Sequence, residues 1–187
     1  MNPRASTAAR ACSRIRSLFR RLRPTMDLHI ITTGGTIDKI YFDAKSDYQV
    51  GEPVIGELLE SMGAQFPYTV ESAMRKDSLE LTEEDRAAIR QSTERCVEQQ
   101  VLITHGTDGM VRTGQALKGI PGKTIVLTGA LQPAAFKGSD AIFNIGCAIG
   151  ALQAAAPGVY IAMNGQLFDI DNVQKNLEAN RFEVLNA

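Results

Sequence analysis

The sequence is sparing with the side chains that build metal centres and cross-links: its 187 residues include three cysteines and two histidines. Cys12, Cys96 and Cys147 form an odd, widely spaced set with no CxxC pair and no Cys/His cluster of zinc-ligand spacing. That argues against a disulfide framework and a zinc module, and it predicts reduced thiols in a cytosolic-type compartment. GxGxxG, HExxH and GxSxG are also missing, so dinucleotide binding, zinc proteolysis and the serine-hydrolase elbow lose their usual support. Gly119–Thr124 (GIPGKT) imitates the end of a phosphate-binding loop. Leu117 stands where the leading glycine is needed, however, and the segment feeds a strand, so it reads as a helix-to-strand turn.

Acidic residues are absent from residues 1–25, where seven arginines stand (Arg4, Arg10, Arg14, Arg16, Arg20, Arg21 and Arg23). The rest of the chain is left with 13 basic against 21 acidic residues, and an acidic body lacks the basic face that nucleic-acid binding requires. The arm also lacks the apolar run of a secretory signal. Its composition fits either an organelle transit peptide or residues read from a start codon upstream of Met26. A disordered arm over 1–25 and one folded domain over 26–187 are expected, in the cytoplasm, with organelle targeting through the arm as the alternative. The charge-free run Ala141–Phe168 is long enough to span a bilayer, yet Asn144, Gln153, Pro157-Gly158 and Asn164-Gly165 interrupt it. It predicts a buried helix, a turn and a strand rather than a membrane span.

What is present is ordinary globular composition, 44% hydrophobic and 22% charged, with a mean hydropathy of -0.11. Short apolar, β-branched runs at Leu28–Thr33, Tyr68–Met74, Val101–Thr104, Thr124–Thr128 and Val159–Met163 predict strands. Helical spacing at Pro53–Met62, after Thr82, at Met110–Lys118 and at Ala141–Ala155 places helices between them. Strands that are continuous apolar runs, alternating with helices, predict an α/β fold: three layers, a mostly parallel sheet with helices on both faces. Sites in such sheets form beyond the carboxyl ends of the strands.

Two polar loops stand at those ends. In Thr33-Gly34-Gly35-Thr36 the glycines allow a sharp turn and close approach of bare N–H groups to a ligand, and Thr36 offers a hydroxyl. His105-Gly106-Thr107-Asp108-Gly109 adds a second hydroxyl and a carboxylate ahead of a helix. Read alone, each is a glycine turn or an N-cap. A threonine hydroxyl needs a base to act as a nucleophile, and a buried lysine steadied by an aspartate serves that purpose. Lys175, after the last predicted strand, is placed to reach the same edge. His29 lies inside the first strand and reads as a packed core residue.

Taken together, TGGTI at Thr33–Ile37, AKSDYQVG at Ala44–Gly51, KDS at Lys76–Ser78, ITHGTDG at Ile103–Gly109, VLTGALQP at Val126–Pro133, Phe143-Asn144, and MNG with NVQK between Met163 and Lys175 resemble the bacterial-type L-asparaginase and glutaminase family. The resemblance implies an asparaginase N-terminal-type catalytic domain over 26–187, with the family's second, smaller domain absent. It implies hydrolysis of L-asparagine to L-aspartate and ammonia without metal or organic cofactor. Thr36 is implied as nucleophile, with Tyr48 as its activator, and Thr107, Asp108 and Lys175 as a relay. Gly35, Ser78, Thr107, Asp108 and Ala130 are implied to bind substrate, Ser78 at the α-carboxylate and Asp108 at the α-ammonium. Partners are expected to be the small-molecule substrate and further copies of the chain in a homo-oligomer, with no nucleic acid and no membrane.

The chain departs from the family pattern at Leu79, where glutamine is frequent, and at Gly109, where threonine is commoner. The acidic ligand that a neighbouring subunit's second domain gives the ammonium in the family is expected to be missing or supplied from elsewhere, and its loss predicts substrate binding weaker by roughly a few kcal/mol. The alternatives are hydrolysis of another small amide such as glutamine, a non-catalytic asparagine- or aspartate-binding module, and a subunit of a tRNA-dependent amidotransferase. The acidic body disfavours the last.

Overall fold

The computed structural model describes residues 26–42 and 47–185; the Arg-rich arm and the start of the AKSDYQVG segment lie outside the described residues. A six-stranded sheet forms the middle layer. Its strands are β1 (Leu28–Thr32), β4 (Tyr68–Ser72), β5 (Gln100–Thr104), β6 (Thr124–Thr128), β7 (Gly158–Met163) and β8 (Gln166–Asp169), in the order β4-β1-β5-β6-β7-β8. All neighbours are parallel except β8, which turns back antiparallel on β7 through Asn164-Gly165.

The apolar runs are continuous because both faces of these strands are covered. On one face Ile31, Val101, Ile103, Ile125, Leu127 and Ile161 pack with Ile89 of helix α2 (Glu83–Arg95) and Met110 of α3 (Met110–Ala116). On the other, Leu28, Ile30, Leu102 and Val126 meet Ile55 and Leu59 of α1 (Ile55–Ser61) and Ile145, Ala148 and Leu152 of α4 (Ala141–Ala154). Helix α2 starts at the expected Thr82, whose hydroxyl accepts from Asp85 N while the Asp85 carboxylate accepts from Thr82 N, a reciprocal cap. Among the described residues no helix is long and apolar enough to cross a membrane, because the run from Ala141 divides into α4, a turn and β7.

Two small antiparallel pairs lie outside the expectation. β2 (Lys39–Phe42) and β3 (Asp47–Val50) form a hairpin directly after the first loop, and β9 (Gln174–Asn176) pairs with β10 (Arg181–Glu183) near the carboxyl end. His29 is buried as expected, but its ring is polar-bonded: Nδ1 contacts the Thr69 hydroxyl at 2.8 Å and Nε2 the Glu71 carboxylate at 3.2 Å.

His105, the first residue after β5, is a second buried imidazole and a support for the loop above it. Its backbone N–H donates to the Thr128 carbonyl at 2.9 Å, which continues the β5–β6 ladder by one residue. Its Nδ1–H donates to the Gly106 carbonyl at 2.7 Å, and Nε2 accepts the Thr113 hydroxyl of α3 at 2.8 Å. This neutral tautomer satisfies both nitrogens. Complete burial lowers its pKa from the ordinary 6.5 to about 4, because a desolvated imidazolium is disfavoured. A lowered histidine pKa makes the folded state bind fewer protons than the unfolded chain, so the stability it contributes is lost as pH falls from 6.5 to about 4. The shift corresponds to about 3 kcal/mol. Urea unfolding of the wild type and of His105→Gln, which cannot charge, should therefore show a stability difference that moves against the wild type by about that amount over this interval; a difference independent of pH would contradict the buried neutral ring.

Candidate active site

Four loops converge at the carboxyl ends of β1, β4, β5 and β6. Register places Thr32, Ser72, Thr104 and Thr128 on one rung across these strands, so the loops leave the sheet at the same level. They touch through backbone. Gly35, at φ 93°, lies so close to the β5 loop that a Cβ there would fall 2.5 Å from Gly106 Cα. A Cβ on Gly106 would fall 2.6 Å from the Ser78 hydroxyl oxygen. The Thr33 hydroxyl and N–H both donate to the Thr104 carbonyl, at 3.0 and 3.1 Å, and the Thr33 carbonyl accepts from Lys76 N at 3.1 Å.

Three of the expected residues meet directly. Lys175 Nζ donates to Thr107 Oγ1 at 2.7 Å and forms an ion pair with Asp108. The Lys175 side chain is 7% exposed and the Asp108 side chain 38%, so the lysine is enclosed while the carboxylate faces the opening. Lys175 comes from β9, which the sequence does not reveal as a strand, and its register partner is Phe182, a buried member of the core. Thr107 and Asp108 are not the N-cap of α3: that position is Gly109, without a side-chain cap, and both side chains turn to the lysine instead. The Gly109 N–H donates to the Ser78 hydroxyl at 3.1 Å. Ser78 is buried, and among the described residues no acceptor is seen for its hydroxyl proton.

The same contact explains one departure from the family pattern. A Cβ at position 109 would lie 2.6 Å from the Ser78 carbonyl oxygen, so threonine would require the Ser78 segment to shift. Leu79, the other departure, is exposed to solvent.

Thr36 opens a 3-10 turn, Thr36–Asp38, at the end of the glycine loop and is half-buried. Tyr48 sits on β3 with its ring edge-on to Tyr41 at 5.5 Å and to Phe136 at 6.2 Å. Phe136 belongs to the loop after β6, so this aromatic row joins the hairpin to that loop. Lys39 at the start of β2 adds a 2.9 Å ion pair to Asp77, next to Ser78. Ala130 is buried in the loop after β6, where Asp140 accepts from Leu131 N and Gln132 N at 3.0 and 3.1 Å. Asn144 Nδ2 ties the Gly129 carbonyl to Asp140, and its Oδ1 accepts from Asn164 N at 2.9 Å. Asp140 and Lys39 were not singled out from the sequence. Asp140 immediately before an apolar helix, with Asn144 one turn on, was the available signal. Among the described residues no group of three or more His, Cys, Asp or Glu side chains is arranged to hold a metal ion.

The fold has known counterparts. The thermostable L-asparaginase from Thermococcus kodakarensis superposes with a TM-score of 0.74 at 26% identity, over 87% of this chain and 52% of that one. L-asparaginase I from Vibrio cholerae gives 0.70 at 26% identity, again over 87% and 52%. A probable cytoplasmic L-asparaginase from Campylobacter jejuni, at 23% identity and a TM-score of 0.69 over 86% and 52%, shares the fold. The chain thus spans about half the length of these solved proteins. A comparison with curated proteins finds no match. The family described as "Asparaginase, N-terminal" matches residues 27–186, nearly the whole chain, and the protein belongs to the asparaginase family.

Proposed function

We propose that this chain is an L-asparagine amidohydrolase working by threonine chemistry, with Thr36, Tyr48, Thr107, Asp108 and Lys175 as its reacting and activating groups. The observation that carries this reading is the Lys175, Thr107 and Asp108 cluster. A buried ammonium or amine held on a threonine hydroxyl and a carboxylate, beside a glycine loop that ends in a second threonine, suits proton transfer during acyl transfer. The solved relatives that carry the name L-asparaginase support the same assignment.

In this mechanism the Thr36 hydroxyl oxygen attacks the carboxamide carbon of bound L-asparagine and passes its proton to the Thr107 and Lys175 relay. The developing oxyanion takes hydrogen bonds from backbone N–H groups at Thr107 and Ala130. Collapse breaks the C–N bond, and the amine leaves as ammonia with a proton supplied through Thr107 and Lys175. Water then attacks the acyl carbon as Thr107 and Lys175 take one of its protons, the bond between that carbon and the Thr36 oxygen breaks, the same groups return the proton to Thr36, and L-aspartate departs. Ser78 donates its hydroxyl proton to the α-carboxylate, while Asp108 accepts from the α-ammonium. Tyr48 activates Thr36 from the hairpin. We place the reaction in the cytoplasm and in a homo-oligomer, with no cofactor.

Hydrolysis of L-glutamine is the second reading. One methylene in a pocket is worth about 1 to 3 kcal/mol of discrimination, so a site built for one amide retains measurable activity on the other. Ammonia and amino-acid release from L-asparagine and L-glutamine by the whole chain should show asparagine preferred. Thr36→Ala should lower kcat by at least about 10^3-fold with substrate binding retained. Folded wild type that binds asparagine without releasing ammonia would replace the enzyme with an amino-acid-binding module. Lys175→Met should cost about 10^2- to 10^4-fold in kcat, the range of a general acid-base group, with a smaller change in KM. Unchanged kcat would remove the lysine from the proton path.

A further inference from the structure

Asp38, the last residue of the turn that Thr36 opens, has no role in the chemistry above, yet every polar group it owns but one is engaged. Its N–H donates to the Gly35 carbonyl at 3.2 Å, closing the turn. Its carbonyl accepts from Gly51 N at 2.8 Å, and its carboxyl Oδ1 accepts from Val54 N at 3.0 Å. Gly51 and Val54 follow β3, so both bonds reach the foot of the hairpin that carries Tyr48. The adjacent Ile37 carbonyl accepts from Ala134 N at 3.1 Å, in the loop after β6. The remaining atom, Oδ2, is buried without a hydrogen-bond partner, in a side chain belonging to a residue only 2% exposed.

We infer that Asp38 is a positioning residue for the reaction proposed above: its buried carboxyl latches the Thr36 turn to the foot of the β2–β3 hairpin and so sets where Tyr48 stands relative to Thr36. The inference rests on that reading for its catalytic meaning and on the three hydrogen bonds for its geometry. An orphaned buried carboxyl oxygen fits a neutral acid better than an anion, because a desolvated charge without a partner is the costlier state. Burial raises the Asp38 pKa from 3.8 to about 6, against the smaller opposing pull of the Val54 N–H.

The titratable groups on the segments packed around Asp38 are Lys39, Tyr48 and Glu52 on the hairpin side, Glu57 on α1, Lys76 and Asp77 after β4, and Lys137 and Asp140 after β6. Lys39 is paired with Asp77, Glu52 with Arg75 and Lys76 with Asp85, and Asp140 binds loop amides. Asp38 itself forms no ion pair among the described residues. Raising the pH through about 6 therefore places an uncompensated charge at the latch. Hydration relieves it, and water reaches the carboxyl by loosening of the hairpin foot.

Hydrogen exchange of the whole protein, corrected for intrinsic pH dependence, tests this on the amides of Gly51 and Val54. Wild-type protection should fall several-fold with a midpoint near pH 6, while Asp38→Asn, which keeps an acceptor for Val54 N and cannot ionise, shows no such midpoint. Asp38→Ala should leave Val54 unprotected at every pH while β5 stays protected, which separates loss of the latch from loss of the fold. In steady-state kinetics with L-asparagine, the ratio of kcat/KM for Asp38→Asn to that of wild type should rise several-fold through the same midpoint. Identical exchange profiles in wild type and Asp38→Asn, or a pH-independent kinetic ratio, overturn the inference. Exchange that follows the expected pattern without asparagine turnover upholds the latch and overturns the proposed function instead; turnover without the midpoint overturns the latch alone.

Discussion

The candidate site depends on backbone packed against backbone where side chains would ordinarily intervene. Gly35 abuts Gly106, Gly106 abuts Ser78, and a Cβ on Gly129 would collide with the His105 carbonyl. Each contact joins loops from different strands, so the set works as one constraint: the carboxyl ends of β1, β4, β5 and β6 are drawn to within van der Waals distance. Thr36 after Gly35, Thr107 after Gly106, and Ser78 are held on adjoining loops for that reason. Replacing any of these glycines with a residue bearing a Cβ would force apart two loops at once, and the damage would reach hydroxyls that the altered residue never touches.

Compression of this kind buries polar groups, and the fold accommodates them unevenly. His105 stays neutral with both ring nitrogens bonded, and the loop amides after β6 are gathered by Asp140 and Asn144. Asp38 retains an unpartnered oxygen. These two deeply buried groups act on stability in opposite directions. His105 disfavours the folded state as pH falls from 6.5 to about 4, whereas Asp38 disfavours it as pH rises from 3.8 to about 6. Each shift is worth about 3 kcal/mol, so over the shared interval they largely offset each other. A pH-stability curve of the wild type alone would hide both.

The three-layer architecture was legible because its strands are buried on both faces, which leaves apolar runs such as Val101–Thr104 and Thr124–Thr128 that no surface element imitates. Helix boundaries fell within a residue or two where caps were present, as at Thr82. The small pairs were not legible. β9 and β10 have three residues each, too few to display a period of two, and Gln174-Lys175-Asn176 has the composition of a loop. The hairpin of β2 and β3 was missed for a different reason: its four-residue strands, Lys39-Ile40-Tyr41-Phe42 and Asp47-Tyr48-Gln49-Val50, are not continuous apolar runs. The meeting of Thr107 and Asp108 with Lys175 was legible before β9 was, because these residues stand in distinctive motifs. Asp38 was invisible because two of its three hydrogen bonds reach Gly51 and Val54, beyond a hairpin that the sequence did not announce.

The β9–β10 pair shows why so small an element matters. Lys175 and Phe182 are directly opposed across it, and residues opposed in an antiparallel pair project to the same face. Phe182 is buried against Phe168 of β8, with ring centroids 6.4 Å apart. The phenyl ring therefore anchors the pair to the edge of the main sheet on the face that also carries Lys175. A lysine on a free carboxyl-terminal segment would be solvated and spread over many rotamers; here one aromatic contact holds its amine on Thr107 and Asp108, contributed by a loop on the other side of β6 and β7. The Lys175, Thr107 and Asp108 cluster thus depends for its geometry on a hydrophobic contact that lies outside it.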